Sequence, residues 1–284
     1  MIDLHTHSCF SDGSDTPAEL LKKAHDIGLT GLALTDHDSV EGCPSFQKEA
    51  LKYPNIKAIN GCEFSVDHPA TIEILALNIQ DLSPYYERQR LLKSYRIESC
   101  EQRIEKLSKL GFSITFNEVA YDEQGNLRPL LAKPHIVNFL YNTKQIPDKE
   151  TGYKKLLNKG CPAYVKQKSP SPEEIINFIR ETGAVSILAH PCLIRLKGQD
   201  LYLEVKRLKD KGLQGIEVQH SDMTLEEMKL YNEMADELGL LKSGGSDYHG
   251  ENAHPGVRLG VGKGQVKLPH EYLKKIISAS RQHD

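Results

Sequence analysis

The run Met1-Ile2-Asp3-Leu4-His5-Thr6-His7-Ser8-Cys9-Phe10-Ser11-Asp12-Gly13 opens the chain and carries its most informative pattern. Ile2 to His5 is a short apolar-rich stretch that can form a strand, and side chains two apart on a strand share a face. His5 and His7 can therefore reach one metal ion. Imidazole suits zinc, iron, manganese or nickel, and the carboxylate of Asp12, on a Ser-Asp-Gly turn, suits the same ions or a harder neighbour. His-x-His alone reads equally well as two surface histidines near a terminus. Residues farther along the chain decide between the two.

Thr16-Pro17 is a good helix start, and Ala18 to Asp26 closes at Gly28 before the short apolar strand Leu32 to Leu34. Strand, helix, strand is the pattern of a parallel sheet or barrel, whose chemistry gathers at the C-terminal strand ends. Thr35-Asp36-His37-Asp38 stands at such an end, so His37 is the next candidate ligand. Helix signals from about Gly42 to Leu51 lead to a strand over Ile56 to Ile59 and then to Gly61-Cys62-Glu63, with Glu63 expected just past the strand end. Ile72 to Ile79 is a strongly apolar strand with Glu73 inside it. A carboxylate there is costly unless it is paired or metal-bound, or unless the strand is an edge with one face in solvent.

From Asp81 the texture changes. Ser83 to Leu110 is long, charged and helical in period, with an apolar stripe at Leu91, Leu92, Tyr95, Ile104 and Leu107 and a stop at Gly111. Short helices are expected around Lys133 to Tyr141 and Lys149 to Asn158, with turn signals at Glu123-Gln124-Gly125-Asn126 and Ile146-Pro147. Residues 80–167 read as a mainly helical insertion covering the active-site face, and 1–79 with 168–284 as the barrel domain. The alternation resumes with the Ser171-Pro172 helix start, then a strand from Ala184 to Ala189 ending in His190-Pro191. A helix from Asp200 to Lys211, strand Gly215 to Gln219 ending at His220, and helix Leu225 to Leu238 behind Thr224 come next. Strand Leu240 to Ser243 enters Gly244-Gly245-Ser246-Asp247-Tyr248-His249-Gly250, and a helix over His270 to Ser280 comes after it.

Composition narrows the function classes. With 284 residues, 39% of them hydrophobic, the chain can bury a sizeable core. Lys+Arg 36 against Asp+Glu 39 gives a net charge of -3, so no overall field argues for long nucleic acid or an anionic membrane surface. Short charged substrates stay open. No run approaches the roughly 20 apolar residues of a membrane span, and the first residues lack the basic and apolar regions of a signal peptide, so the expectation is a cytoplasmic protein. Cys9, Cys43, Cys62, Cys100, Cys161 and Cys192 stand far apart with no Cys-x-x-Cys pair, and free thiols are expected.

His5, His7, Asp12, His37, Glu63, His190, Asp247 and His249 all fall at or beyond expected strand ends, which converge on one face of a closed barrel. Eight nitrogen and oxygen donors, nine with Glu73, exceed what one metal needs, and point to two or three ions. Clustered ions suit phosphoryl chemistry, because one lowers the pKa of a water toward about 7 and the others clamp phosphate oxygens.

The set H-T-H with S-D-G, T-D-H-D, G-C-E, A-H-P and S-D-Y-H-G resembles the PHP (polymerase and histidinol phosphatase) family of metal-dependent phosphoesterases, over residues 1–79 and 168–262. The insertion with A-K-P-H-I-V is similar to the branch acting on nucleoside 3′,5′-bisphosphates or on short RNA from its 5′ end. The resemblance implies a distorted (β/α)7 barrel with a trinuclear site of manganese, iron or zinc. His5, His7, Glu63 and Asp247 would hold one ion, and Asp12, His37 and His249 a second. Glu63, His190 and Glu73 would hold the third, with Glu73 where the branch usually has His. Asp12, His37, Glu63, His190, Asp247 and His249 would then carry catalysis, by metal-bound hydroxide attack on phosphorus.

Lys133, where relatives often have Arg, and His135 are candidates for substrate phosphate, or else a solvated lysine and a capping histidine. His220 is a candidate for substrate contact or proton transfer, or else a satisfied rim histidine. Tyr248, Arg195, Arg258 and His254 are further substrate candidates, whereas His25, His68, His270 and His283 read as ordinary surface residues. The expected substrate is a small phosphomonoester such as a nucleoside 3′,5′-bisphosphate. Histidinol phosphate, another small metabolite phosphate or a short oligonucleotide are the rival substrates, and an inactive metal-binding regulatory module is the rival of another class.

Overall fold

The structure is a computed structural model that describes residues 1–284 apart from 123–124, 129–130, 252 and 281–284. The Glu123-Gln124 half of the expected turn and His283 lie outside the described residues. The chain forms two compact units, Met1–Gln89 with Pro170–Asp284, and Arg90–Ser169.

The first unit is built on seven strands in sequential order: β1 (Ile2–Asp3), β2 (Gly31–Leu34), β3 (Lys57–Ser65), β4 (Glu73–Leu77), β5 (Val185–Leu188), β6 (Gly215–Gln219) and β7 (Leu241–Gly244). Helices α1 (Pro17–Asp26) and α2 (Cys43–Ala50) join the early strands. The α1 start is a capping box: Thr16 accepts from the Glu19 N–H while Glu19 reaches back to Thr16. Beyond the last paired residues, the continuations of β7 and β1 run side by side. The Leu4 N–H donates to Gly244 O at 3.2 Å, the Asp247 N–H to His5 O at 3.0 Å and the His7 N–H to Tyr248 O at 2.9 Å. These bonds curl the sheet into an almost closed, distorted (β/α)7 barrel. Close approach here requires glycine, since a Cβ on Gly245 would lie 2.5 Å from His5 Cβ and from its backbone nitrogen.

One feature departs from the sequence expectation of parallel strands throughout. β4 runs antiparallel to both β3 and β5. The cause is legible in the connection: only residues 66–72 separate β3 from β4, and a parallel pair needs a crossover of a dozen residues or more. Glu73 therefore begins its strand, opposite Ser65, at the same end of the barrel as Glu63. A second correction is that Glu63 lies inside β3, which runs on to Ser65, rather than past its end.

Apolar residues of β1 to β5 pack with Leu273 and Ile276 in one core cluster, while Leu20, Leu21, Leu32, Leu34 and Phe46 anchor a second. The later helices are α7 (Pro172–Glu181), α8 (Gly198–Asp210), α9 (Leu225–Leu238) and α10 (His270–Ser280), and Ser171 and Thr224 cap α7 and α9 as their sequences imply. Among the described residues, no helix is long and apolar enough to cross a membrane. All six cysteines are free.

The chain enters the second unit within α3 (Ser83–Lys109), and continues through α4 (Phe116–Ala120), α5 (Lys133–Asn142) and α6 (Lys149–Thr151). Helix α4 has no counterpart in the sequence reading. The expected Lys149–Asn158 helix is α-helical for three residues only and then π-helical over Gly152–Leu157. Leu107, Ile136, Val137, Leu140 and Leu157 are fully buried in this unit's own core.

Candidate active site

Most of the candidate ligands come from the barrel end where β1, β2, β3 and β5 finish and β4 begins. At its centre is Glu63, buried to 1% exposure. Its Oε2 lies 3.1 Å from His5 Nε2, 3.3 Å from His7 Nε2 and 3.2 Å from His37 Nδ1, and its Oε1 lies 2.9 Å from His190 Nε2. One carboxylate thus faces four imidazoles.

Three groups of donors surround it, each with its ligand atoms within 4.8 Å of one another. His5, His7, Glu63 and Asp247 form the first, with Asp247 Oδ1 at 3.3 Å from His5 Nε2 and 3.1 Å from His7 Nε2. His7, Asp12, His37 and His249 form the second, where Asp12 Oδ1 is 3.3 Å from His249 Nε2 and its Oδ2 is 3.7 Å from His37 Nε2. His37, Glu63 and Glu73 form the third, and His190 Nε2 reaches its Glu73 Oε2 at 3.4 Å. β4 is paired on both sides, so Glu73 is not an edge-strand acid. Ser65 Oγ donates to Glu73 Oε1 at 3.0 Å and holds the carboxylate toward His37 and His190.

The backbone is bent to deliver these groups. Asp247 has φ 54° and His190 φ 26°, both in the left-handed region that costs a residue with a Cβ about 1–3 kcal/mol and is held only where the surroundings over-determine it. The loop carrying His7 and Asp12 is pinned by Asp36, which accepts from the Ser8 N–H at 2.7 Å, Ser8 Oγ at 2.7 Å and Ser11 Oγ at 2.6 Å.

The donor set fits divalent ions on its own chemistry. His7 Nδ1 and Nε2, His37 Nδ1 and His190 Nδ1 are buried and make no hydrogen bond among the described residues. Burial opposes charge on His7, yet its contacts with Asp247 and Glu63 outweigh that and push it up to about 10; His190 is pushed up to about 9 by Glu63 and Glu73 against its own burial. Burial likewise opposes ionisation of Glu63, Asp247 and Asp12, and the surrounding histidines hold all three well below the usual carboxylate range. Carboxylates concentrated this way call for positive charge, which either protons on the rings or metal ions can supply.

The remaining candidates divide. His220 is fully buried: its Nδ1 accepts the Asp222 N–H at 3.1 Å and its Nε2 lies 3.4 Å from Asp247 Oδ2. An Nδ1 lone pair already engaged leaves the hydrogen on Nε2, the atom nearer Asp247. Exposed His254 stacks on His249 with ring centroids 4.5 Å apart. Tyr248 departs from the sequence reading, because its ring is buried and its hydroxyl is tied to Asp15 at 3.1 Å and Lys23 at 2.9 Å. Arg195 and Arg258 are exposed. His68 pairs with Glu204, His25 packs tilted against Tyr53 with ring centroids 5.0 Å apart, and His270 Nδ1 lies 3.3 Å from Thr30 Oγ1.

In the helical unit, Lys133 Nζ lies over the Tyr164 ring at 5.9 Å, and burial with the nearby Arg103 charge lowers its pKa. His135 Nδ1 accepts the Ala132 N–H at 3.2 Å at the start of α5. Glu217 was missed by sequence reasoning. It is fully buried in β6, and its Oε1 lies 3.0 Å from His5 Nδ1. Its signal, an acid inside the apolar strand Gly-Ile-Glu-Val-Gln, is the one that singled out Glu73.

Comparison with known proteins agrees with this geometry. A family model described as PHP domain matches residues 3–158. The chain is 31% identical over 254 residues to a 3′,5′-nucleoside bisphosphate phosphatase of Chromobacterium violaceum, covering 87% of each chain. It is 28% identical over 251 residues to a 5′-3′ exoribonuclease of Haemophilus influenzae, covering 87% of this chain and 89% of the other. It also superposes, with a TM-score of 0.78 and 25% identity, on the crystal structure of a protein assigned as a metal-dependent phosphoesterase from Bifidobacterium adolescentis, covering 98% of this chain and 96% of that one. The chain belongs to the PHP domain family and is a metal-dependent phosphoester hydrolase.

Proposed function

We propose that the chain hydrolyses a small nucleotide phosphomonoester, of the nucleoside 3′,5′-bisphosphate type, with two or three divalent ions of manganese, iron or zinc at the barrel end. The observation that carries this reading is Glu63, one buried carboxylate facing His5, His7, His37 and His190 within 2.9 to 3.3 Å. Such sharing suits ions a few ångströms apart, and the similarity to a nucleoside bisphosphate phosphatase supports the substrate class.

In this reading His5, His7, Glu63 and Asp247 hold one ion, and Asp12, His37 and His249 a second. Glu63, Glu73 and His190, with His37 beside them, hold a third. Bound divalent ions supply a water of lowered pKa and neutralise charge building on the phosphoryl oxygens. The protein's part is geometric: strained Asp247 and His190 and the Asp36-pinned loop fix the donors before substrate arrives, so little reorganisation is left for the reaction. His220 stands beside Asp247, its Nε2 3.4 Å from Oδ2. Asp12 is the most open of these ligands, at 43% side-chain exposure, and lies 3.3 Å from His249.

Lys133 and His135 of the helical insertion, taken as residues 80–167, are assigned to substrate phosphate on sequence grounds. A cytoplasmic setting belongs to the same reading and is supported by the six free thiols. The test is phosphate release by manganese-reconstituted protein from nucleoside 3′,5′-bisphosphates, histidinol phosphate and short 5′-phosphorylated oligoribonucleotides. The bisphosphates should lead in kcat/KM. An oligoribonucleotide in first place would move the assignment to the exonuclease, and no turnover of any phosphoester would leave a metal-binding module.

A further inference from the structure

We propose that Glu217 is a positioning residue whose single carboxylate sets both His5 and His190, and so ties the ion position at one histidine to the ion position at the other. The inference rests on the metal-centre reading above. Glu217 Oε1 lies 3.0 Å from His5 Nδ1, and Oε2 accepts the backbone N–H of His190 at 2.6 Å. The two bonds do different work. The first fixes a tautomer: with the hydrogen on Nδ1, the His5 Nε2 lone pair is free, and Nε2 is the atom facing Glu63 and Asp247. The second holds a backbone that is otherwise unfavourable, since His190 sits at φ 26° with the chain turning into Pro191.

The histidines so fixed meet opposite oxygens of the shared Glu63. His5 Nε2 is 3.1 Å from its Oε2, and His190 Nε2 is 2.9 Å from its Oε1. A shift of Glu217 therefore moves ligands on both sides of the central carboxylate. Charge alone does not describe the role, because both oxygens must accept. An amide of the same size has only one carbonyl oxygen. In Glu217→Gln either orientation satisfies one donor and turns an NH2 group toward the other.

Metal-stripped wild-type chain and Glu217→Gln are titrated with Mn²⁺ alone, and bound metal is read by equilibrium dialysis. The variant should lose about 10- to 100-fold in affinity for at least one ion, the usual effect of removing an outer partner of a ligand histidine. Affinity within twofold of wild type, with only the melting temperature of the metal-free chain lowered, would show a structural role and overturn the proposal. In a His5→Ala background Glu217→Gln should cost clearly less, since one ligand through which it acts is gone. Equal cost in both backgrounds would contradict the route through His5.

A measurement on the unmutated chain covers the case in which the variant does not fold. In the Zn²⁺-loaded protein, ¹⁵N-histidine spectra should place the His5 proton on Nδ1, and a proton on Nε2 overturns the proposal. Wild type that takes up no Mn²⁺ or Zn²⁺ would overturn the metal reading itself, and this shows before any variant is compared.

Discussion

The two units bury polar groups in opposite ways. Among the described residues of the helical unit, Ser99 and Arg103 are the buried polar side chains, and the Arg103 guanidinium donates locally to Ser99 Oγ at 2.9 Å and to Val165 O at 3.1 Å. The barrel unit buries His5, His7, Asp36, Glu63, His190, Glu217, His220 and His249 around one end. Unpaired, such groups cost several kcal/mol each, so a fold keeps them only where they pair with one another or bind something. The helical unit is therefore arranged for apolar packing. The barrel end gives up that packing for a donor array.

The sharpest way to break this contrast is to remove a proposed ligand. His5→Ala, His37→Ala and Asp247→Ala should each lower turnover by more than about a hundredfold, since even outer partners of ligands cost 10- to 100-fold in affinity or activity. The far-ultraviolet circular dichroism should stay that of wild type, because none of the three belongs to the apolar clusters. Near wild-type kcat in metal-repleted buffer would remove that residue from the site.

A somewhat smaller effect is expected at Glu73. Glu73→Ala should lower metal content by up to one ion per chain. Glu73→His, which restores imidazole beside His37 and His190, should raise zinc affinity about tenfold or more relative to manganese. Equal metal content and activity in wild type and both variants would leave a binuclear centre as the better description.

Acidity gives the next effect. His7 and His190 are raised to about 10 and about 9, so in the metal-free chain their stabilisation is complete below the ordinary histidine value and is lost as pH rises through those values. Asp12, Glu63 and Asp247 are depressed and contribute stability above the ordinary carboxylate range that is lost on acidification. Metals compete with the ring protons, so Mn²⁺ affinity should tighten from pH 6 to 9, by up to about tenfold per unit for each proton released. Affinity flat across that range, measured by calorimetry, would mean the rings are not the ligands.

The helical unit supplies the smallest effect. Lys133→Ala should raise KM about tenfold and leave kcat within about twofold, because a point charge on phosphate contributes mostly uniform binding. A drop in kcat alone would place Lys133 in the chemical step, and an unchanged profile would make it a solvated lysine.

Much of the donor array was legible because His5, His7, His37 and His190 lie at or just beyond strand ends with a local signature. His5 and His7 were found through the two-residue period of a strand, and His37 and His190 through the ends of apolar runs. The direction of β4 was missed because the reading rested on composition and not on the length of the 66–72 connection. Glu217 was missed although it had the same signal as Glu73, because nothing local marks an acid whose partners, His5 and His190, are supplied by distant strands. The tie of Tyr248 to Lys23 and Asp15 is equally non-local. In the helical unit the 3.6-residue period showed the helices but not the π-helical turn of Gly152–Leu157, whose apolar spacing resembles that of an ordinary helix.

The central claim, that the barrel end is a multi-ion centre for phosphoester hydrolysis, is tested most directly by stripping the chain of metal and returning Mn²⁺ stepwise. Bound ions and phosphate release from a nucleoside 3′,5′-bisphosphate are measured together. The account predicts no turnover in the stripped chain, and activity that rises with occupancy and levels off at two or three ions per chain. Turnover that survives stripping, or ions that bind fully without phosphate release, would contradict it.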